Sequence, residues 1–275
     1  MLPIETAVPV VVLTIAGSDS SAGAGIQADL KAFAACGVYG TSVVTALTAQ
    51  NTLGILGVVE TPADFVGTQI DAIASDFRVG ATKTGMLGSA GIIEVVAAKV
   101  HEHRLQPLVV DPVMQASSGA TLLAPDGVRA LTRQLLPLAT VATPNVPEAE
   151  ALTGRRVTSV RAMREAARAI HGLGADAVVV KGGHLTEAAE AVDILFDGRD
   201  FHEFRGRRIE TQHTHGSGCT FAAALAANLA CGLSLVEAVS KAKELVTIAL
   251  RNALALGRGS GPVNALAALC PEPPD

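Results

Sequence analysis

Residues 10–35 read VVVLTIAGSDSSAGAGIQADLKAFAA. The first seven, 10–16, form a nearly unbroken apolar, β-branched run of strand length. From residue 25 to residue 36 the apolar positions recur at helical spacing, and the residues between are small and glycine-rich. An apolar strand, a small-residue turn and an amphipathic helix make the repeating unit of a parallel sheet covered on both faces. The unit recurs along the chain. Strands are expected at 41–48, 55–60, 79–85, 107–113, 139–145 and 176–183, and helices at 62–75, 89–104, 125–136, 147–153 and 159–172. AVDILFDG and DFHEFRGRRIE alternate in polarity, which predicts a small antiparallel hairpin near 191–210, and helices at 217–231 and 235–256 close the chain. The expectation is a three-layer α/β/α fold with a mostly parallel central sheet. It forms one domain over residues 1–275, with 1–9 and 271–275 as loose ends.

Composition removes several classes of function. Of 275 residues 49% are hydrophobic, enough for a large core and too many for a disordered chain. The net charge of −5 comes without any basic cluster, so nucleic acid is not an expected partner. Cys36, Cys219, Cys231 and Cys270 are far apart with no CxxC pair, and they read as reduced thiols of a cytoplasmic protein. The opening MLPIETAVP lacks the basic start of a signal peptide. Residues 219–236 carry no charge over 18 positions, yet they are mostly Ala and Gly with Asn228 and Ser234 among them. A buried helix is expected there, and no membrane contact.

Polar residues gather where the expected strands end. Gly17, Ser18 and Asp19 follow the first; Gln50 and Asn51 the second; Met86 the fourth; Asp111 the fifth; Asn145 and Glu148 the sixth; Lys181 lies at the seventh. Ligands of parallel sheets bind beyond these carboxyl ends. The segment Gly23-Ala-Gly25-Ile-Gln-Ala28 matches a dinucleotide fingerprint, but Gly23 lies six residues past Gly17, and no acidic residue occurs between Asp29 and Glu60. A substrate loop, with Asp29 facing the pocket from the next helix, fits the spacing better. No phosphate-binding P-loop is present, since GATKTGM lacks the Lys-Ser/Thr that should follow.

HTHGSGCT, residues 213–220, offers another anion site. Gly216 and Gly218 allow successive N–H groups of 216–219 to point one way, and the helix that follows adds its positive end. That field is expected to lower the pKa of Cys219. Three readings of Cys219 stay open: a nucleophile aided by His213 or His215, a base for a substrate hydroxyl, or a small buried helix residue. Asp111 and Glu148 are oxygen ligands suited to Mg²⁺. In the plainer reading Asn145 forms an Asx-turn and Glu148 is an ordinary first-turn residue. Lys181 ends a buried strand and needs an anion. His101-x-His103 and His213-x-His215 lack a third ligand for zinc.

Taken together, LTIAGSDSSAGAGIQADLKAFAACGVYGTSVVTALTAQNT, KTGML, VVDPVM, TPNVPEAE, VVVKGGH and HTHGSGCTFAAALAA resemble the hydroxymethylpyrimidine/phosphomethylpyrimidine kinases of thiamine biosynthesis. These belong to the ribokinase-like superfamily, and the resemblance runs from about residue 11 to 265. It implies phosphorylation of a small pyrimidine by ATP with Mg²⁺, in a homodimer. It implies that the substrate is held by Gln50, Asp29, Gly17, Met86 and Val113. Asn145, Glu148, Lys181 and Thr220 would bind the nucleotide, with Asp111 and Glu148 on the metal. Gly216, Ser217, Gly218, Cys219 and Lys181 would serve the transfer. DSSAGAG replaces the commoner DPSGGAG, so Ser20 and Ala22 are expected to loosen the first loop. QASSGATLL, 115–123, is the expected lid. A pyridoxal kinase is the alternative within the superfamily. A thiol hydrolase and a non-catalytic sensor are the alternatives from other classes.

Overall fold

β1 (Val11–Asp19) turns through Ser20–Ala24 into α1 (Gly25–Ala35), as residues 10–35 require. The computed structural model describes residues 8–116, 119–183 and 190–269. The chain continues through β2 (Tyr39–Asn51), β3 (Gly54–Glu60), α2 (Ala63–Ala74), β4 (Val79–Thr84), α3 (Ala90–His103) and β5 (Leu108–Val110). Then come α4 (Pro125–Ala130), β6 (Val141–Ala142), α5 (Val146–Thr153), α6 (Val160–His171), β7 (Val178–Val180), β8 (Glu190–Phe196), β9 (Phe201–Arg207), α7 (Ser217–Ala230) and α8 (Leu235–Arg251). All strands join one sheet in the order β3-β2-β1-β4-β5-β6-β7-β8-β9. The six strands from β2 to β7 in that order run parallel, and β3, β8 and β9 are antiparallel to their neighbours.

The apolar runs are continuous because both sheet faces are covered. Strand side chains alternate sides, so each run divides between two cores. Leu108 and Val110 enter one core and Val109 the other; Val178 and Val180 enter the first and Val179 the second. The first core lies under α2 to α6, and the second under α1, α7 and α8. In α7, Thr220 to Ala227 are all buried, which explains the uncharged stretch. No helix among the described residues is long and apolar enough to cross a membrane.

Four departures from the expected elements have local causes. The run 55–60 is an antiparallel edge strand instead of a covered parallel one, and its Leu56, Val58 and Val59 are exposed. β5, β6 and β7 are two or three residues long because the residues after them leave the ladder to form the site. α4 stops at Ala130 and passes into a π-helical turn, Leu131–Leu135, before Pro137. α8 ends at Arg251, five residues early, because the chain folds back and the Leu254 amide bonds the Pro262 carbonyl. The 191–210 hairpin forms as β8 and β9 and extends the sheet beyond β7.

Candidate active site

The parallel strands all end at one cleft of about 880 Å³. That volume suits a small-molecule site. At one end of it β1 runs into the first loop, which folds around Asp19. Asp19 Oδ1 accepts the Ser21 amide and hydroxyl, both at 2.8 Å. Its Oδ2 accepts the Gly23 amide at 3.1 Å, the Ala24 amide at 2.8 Å and His215 Nε2 at 2.8 Å. Burial alone would raise this carboxyl; the bonds from His215, Ser21 and Ala24 hold it down at about 2. An anion thus organises the loop and ties it to the segment before α7. Ala22, where the commoner motif has glycine, is held at φ +59°. Ser20, where the commoner motif has proline, bonds the backbone of Gln50 through its hydroxyl.

Gln50, Gly17, Met86 and Val113 all line the cleft. The Gly17 amide donates to the Met86 carbonyl at 3.1 Å, and a Cβ on Gly17 would lie 3.1 Å from the Met86 sulfur. The thioether therefore lies against bare backbone, forming a flat apolar wall. The Gln50 carboxamide sits between the Thr48 hydroxyl, 3.2 Å from its Oε1, and His215 Nε2, 3.3 Å from its Nε2.

The turn before α7 docks on that same loop. Gly216 has φ +82°, and a Cβ there would lie 1.8 Å from the Gly23 carbonyl oxygen. No side chain caps α7, so its positive end faces the cleft beside Gly216, Ser217, Gly218 and Cys219, which line it. Lys181 reaches the same place: a Cβ on Gly218 would be 3.3 Å from its Nζ. Lys181 Nζ bonds Asp111 Oδ1 at 2.8 Å. Burial would lower the ammonium, but Asp111 and Glu148 hold it above the ordinary lysine value. Asp111 Oδ1 also accepts the Thr143 hydroxyl.

Asn145 and Glu148 form a reciprocal capping box on α5, at 2.9 and 2.8 Å. The plainer structural reading of the pair is therefore correct, yet both also line the cleft. Burial raises the Glu148 carboxyl to about 7, partly offset by Lys181 and reinforced by Asp111. Two neighbouring carboxylates, one of them disfavoured as a lone anion, fit a hard divalent cation such as Mg²⁺.

Two expected site residues lie elsewhere. Asp29 is fully buried under the cleft, not on it. Its oxygens take Lys83 Nζ at 2.9 and 2.8 Å and the Thr14 hydroxyl at 2.6 Å. Thr220 is buried one position past Cys219, turned by the helix into the core, and its amide bonds the Gly216 carbonyl. The expected low pKa of Cys219 is also reversed. Burial pushes the thiol up to about 11, against the pull of Lys83. His215 Nε2 is committed to Asp19, and His213 Nδ1 accepts the Gly261 amide at 3.0 Å. Among the described residues no histidine hydrogen bond reaches the Cys219 thiol, and with the thiol pushed up by burial nothing in this geometry supports the hydrolase reading.

Three participants escaped the sequence reading: Lys83, the Asp19–His215 pair and the Ser20 tether. A signal for Lys83 was present, since a lysine inside VGATKTG is as costly to bury as Lys181 and equally demands an anion. Burial would lower its ammonium, but Asp29 holds it above the usual value. In the expected lid Gln115 pairs with Thr121, and Gln115, Ala116, Gly119 and Leu122 line the cleft, while 117–118 lie outside the described residues. Asp71, Glu102 and His103 also cluster, but Lys99 Nζ occupies both carboxylates, at 2.8 and 2.9 Å.

Comparison with known proteins shows the family. The chain is 55% identical over 253 residues, 92% of its length, to the thiamine biosynthesis bifunctional protein ThiED of Geobacter sulfurreducens, and spans 51% of that longer protein. It is 49% identical over 257 residues to the hydroxymethylpyrimidine/phosphomethylpyrimidine kinase of Haemophilus influenzae, covering 92% of this chain and 95% of that one. The crystal structure of an ADP complex of Bacillus subtilis pyridoxal kinase matches with a TM-score of 0.89 at 41% identity, over 96% of this chain and 100% of that one. The family model for phosphomethylpyrimidine kinase matches residues 19–264. With a match spanning nearly the whole chain, and with the cleft that its motifs build, the protein belongs to the phosphomethylpyrimidine kinase family.

Proposed function

We propose that the protein transfers the terminal phosphoryl group of ATP to the hydroxymethyl group of hydroxymethylpyrimidine, and then phosphorylates the monophosphate that results. One observation carries this reading. A flat apolar wall with a carboxamide (Gly17, Met86, Gln50) and a cationic, amide-lined turn (Lys181, 216–219) face one cleft. The wall accepts a planar ring, and Gln50 can donate and accept at its edge. Val113 lies on the same surface.

The reaction asks mainly for positioning and charge stabilisation. The hydroxyl oxygen attacks the terminal phosphorus, the bond to the ADP oxygen breaks, and the hydroxyl proton passes to the transferred group or to water. Lys181 and the Gly218 and Cys219 amides at the start of α7 stabilise the charge on the transferring oxygens. Cys219 is a neutral thiol at ordinary pH, so it orients the hydroxyl instead of removing its proton. Asn145 holds the first turn of α5 beside the nucleotide end. Asp111 and Glu148 would hold Mg²⁺, which when bound neutralises phosphate charge. The expected lid, of which Gln115, Ala116, Gly119 and Leu122 line the cleft, would exclude water.

The assay is ADP release with Mg²⁺ and ATP, with and without hydroxymethylpyrimidine. Release that depends on the pyrimidine is the expected result; equal release without it contradicts the reading. The likeness to a pyridoxal kinase favours a second reading on the same cleft. A higher kcat/KM on pyridoxal than on the pyrimidine would establish it. The work is cytoplasmic, where thiols stay reduced; Cys36, Cys219 and Cys231 are free. We also infer a homodimer through β3. Its exposed Leu56, Val58 and Val59 lie on both faces of an unpaired edge, which a second copy can match about a two-fold axis. A monomer by light scattering would contradict it.

A further inference from the structure

We propose that Ser20 is a positioning residue for Gln50, holding the end of β2 in the register that aims the carboxamide into the cleft. The registered pairs of β1 with β2 end at Ser18 with Leu47 and Asp19 with Thr48, two residues short of Gln50. On the other side the ladder of β2 with β3 slips between Ala49 and Gln50. Gln50 therefore stands where the sheet loosens on both sides.

Ser20 closes that gap. Its Oγ accepts the Gln50 N–H at 2.8 Å and donates to the Gln50 carbonyl oxygen at 2.8 Å. One hydroxyl thus replaces both bonds of a missing rung. The hydroxyl is itself well anchored, because Asp19 before it and Ser21 after it are locked by the Asp19 carboxylate. With the backbone fixed, the carboxamide is placed further by the Thr48 hydroxyl, 3.2 Å from its Oε1. A proline at this position, as in DPSGGAG, has no hydroxyl and cannot make the rung. The substitution that departs from the commoner motif thus brings its own tether.

The tether serves ring recognition and not the nucleotide, whose end of the cleft is formed by Asn145, Glu148 and Lys181. This inference rests on Gln50 being a contact to the pyrimidine. The test compares Ser20→Ala, Ser20→Thr and Gln50→Ala in steady-state kinetics with both substrates varied. Ser20→Ala should raise the KM for hydroxymethylpyrimidine about fivefold, the size of one net hydrogen bond, and leave the KM for ATP within about twofold. Ser20→Thr keeps the hydroxyl and should return the pyrimidine KM to within about twofold of wild type. A purely structural role would lower the melting temperature without splitting the two KM values. If Gln50→Ala raises the pyrimidine KM and Ser20→Ala does not, or if Ser20→Ala raises both KM values equally, the role assigned to Ser20 is wrong. If Gln50→Ala leaves that KM unchanged, the assignment of Gln50 to the ring fails first, and that of Ser20 with it.

Discussion

Replacing Gly216 with alanine tests whether the close docking of the α7 turn on the first loop serves the reaction. The new Cβ would lie 1.8 Å from the Gly23 carbonyl oxygen. A carbon–oxygen contact settles at about 3.3 Å, so the two backbones must part by roughly 1.5 Å. The first loop resists. The Gly23 and Ala24 amides are bonded to Asp19, and Gly25, at φ +58°, would itself overlap the Gly17 carbonyl if it carried a Cβ. The movement therefore falls on residues 214–218, which include Gly218 beside Lys181 Nζ. An alanine forced to φ +82° adds about 1–2 kcal/mol of backbone strain. In a chain of this size that lowers Tm by roughly 2–8 °C, which leaves the protein folded at the assay temperature. Displacement of a charge-stabilising group by about 1 Å costs on the order of 100-fold in rate. The expected outcome is a kcat/KM for pyrimidine phosphorylation reduced about 100-fold, measured by coupled ADP release at 25 °C, with an unchanged far-ultraviolet circular dichroism spectrum. A folded variant with kcat/KM within about threefold of wild type would refute the reasoning.

Other predictions concern the groups around this turn. Burial places the Cys219 thiol at about 11, so it is protonated throughout the neutral range. Alkylation of Cys219 by iodoacetamide, followed by peptide mass spectrometry, should accelerate about tenfold per pH unit between pH 7 and 10. A plateau below pH 8 would mean an ionised thiol and would reopen its role as a base. Lys83→Met strands the buried Asp29 carboxylate and should cost about 3–5 kcal/mol in urea unfolding. A loss under about 1 kcal/mol would show that the pair is not charged. Ala22→Gly relieves the left-handed conformation at φ +59° and should stabilise by about 1 kcal/mol, seen as a rise in Tm of roughly 2–4 °C. A fall in Tm would contradict that accounting.

The layered sheet was legible because its cause is local. A run such as Leu108-Val109-Val110 must feed cores on both faces, and only a covered parallel strand permits that. The turn before α7 was legible for the same reason: Gly216 announces unusual backbone and has φ +82°, whereas Gly218 is an ordinary residue of α7. The misses have distant causes. Asp19 and His215 lie 196 positions apart, and no spacing rule joins them. Asp29 was assigned to the correct helix but faces Lys83, because helix rotation, not strand order, decides which side chain meets the cleft. The run 55–60 is apolar like a core strand, and only the sheet order reveals that nothing among the described residues covers it. A helix end predicts a lowered Cys219 thiol, but burial, which helical position in the sequence does not reveal, pushes it up to about 11.

The most direct measurement is a crystal structure of the protein with Mg²⁺, hydroxymethylpyrimidine and a non-hydrolysable ATP analogue. Terminal phosphate oxygens are expected within about 3 Å of the amide nitrogens of Gly218 and Cys219 and of Lys181 Nζ, with the substrate hydroxyl between the phosphate and Cys219, since the Ser217 amide is already bonded to the Thr214 carbonyl. A terminal phosphate bound away from that turn, or a turn that directs its carbonyls at the nucleotide, would contradict it.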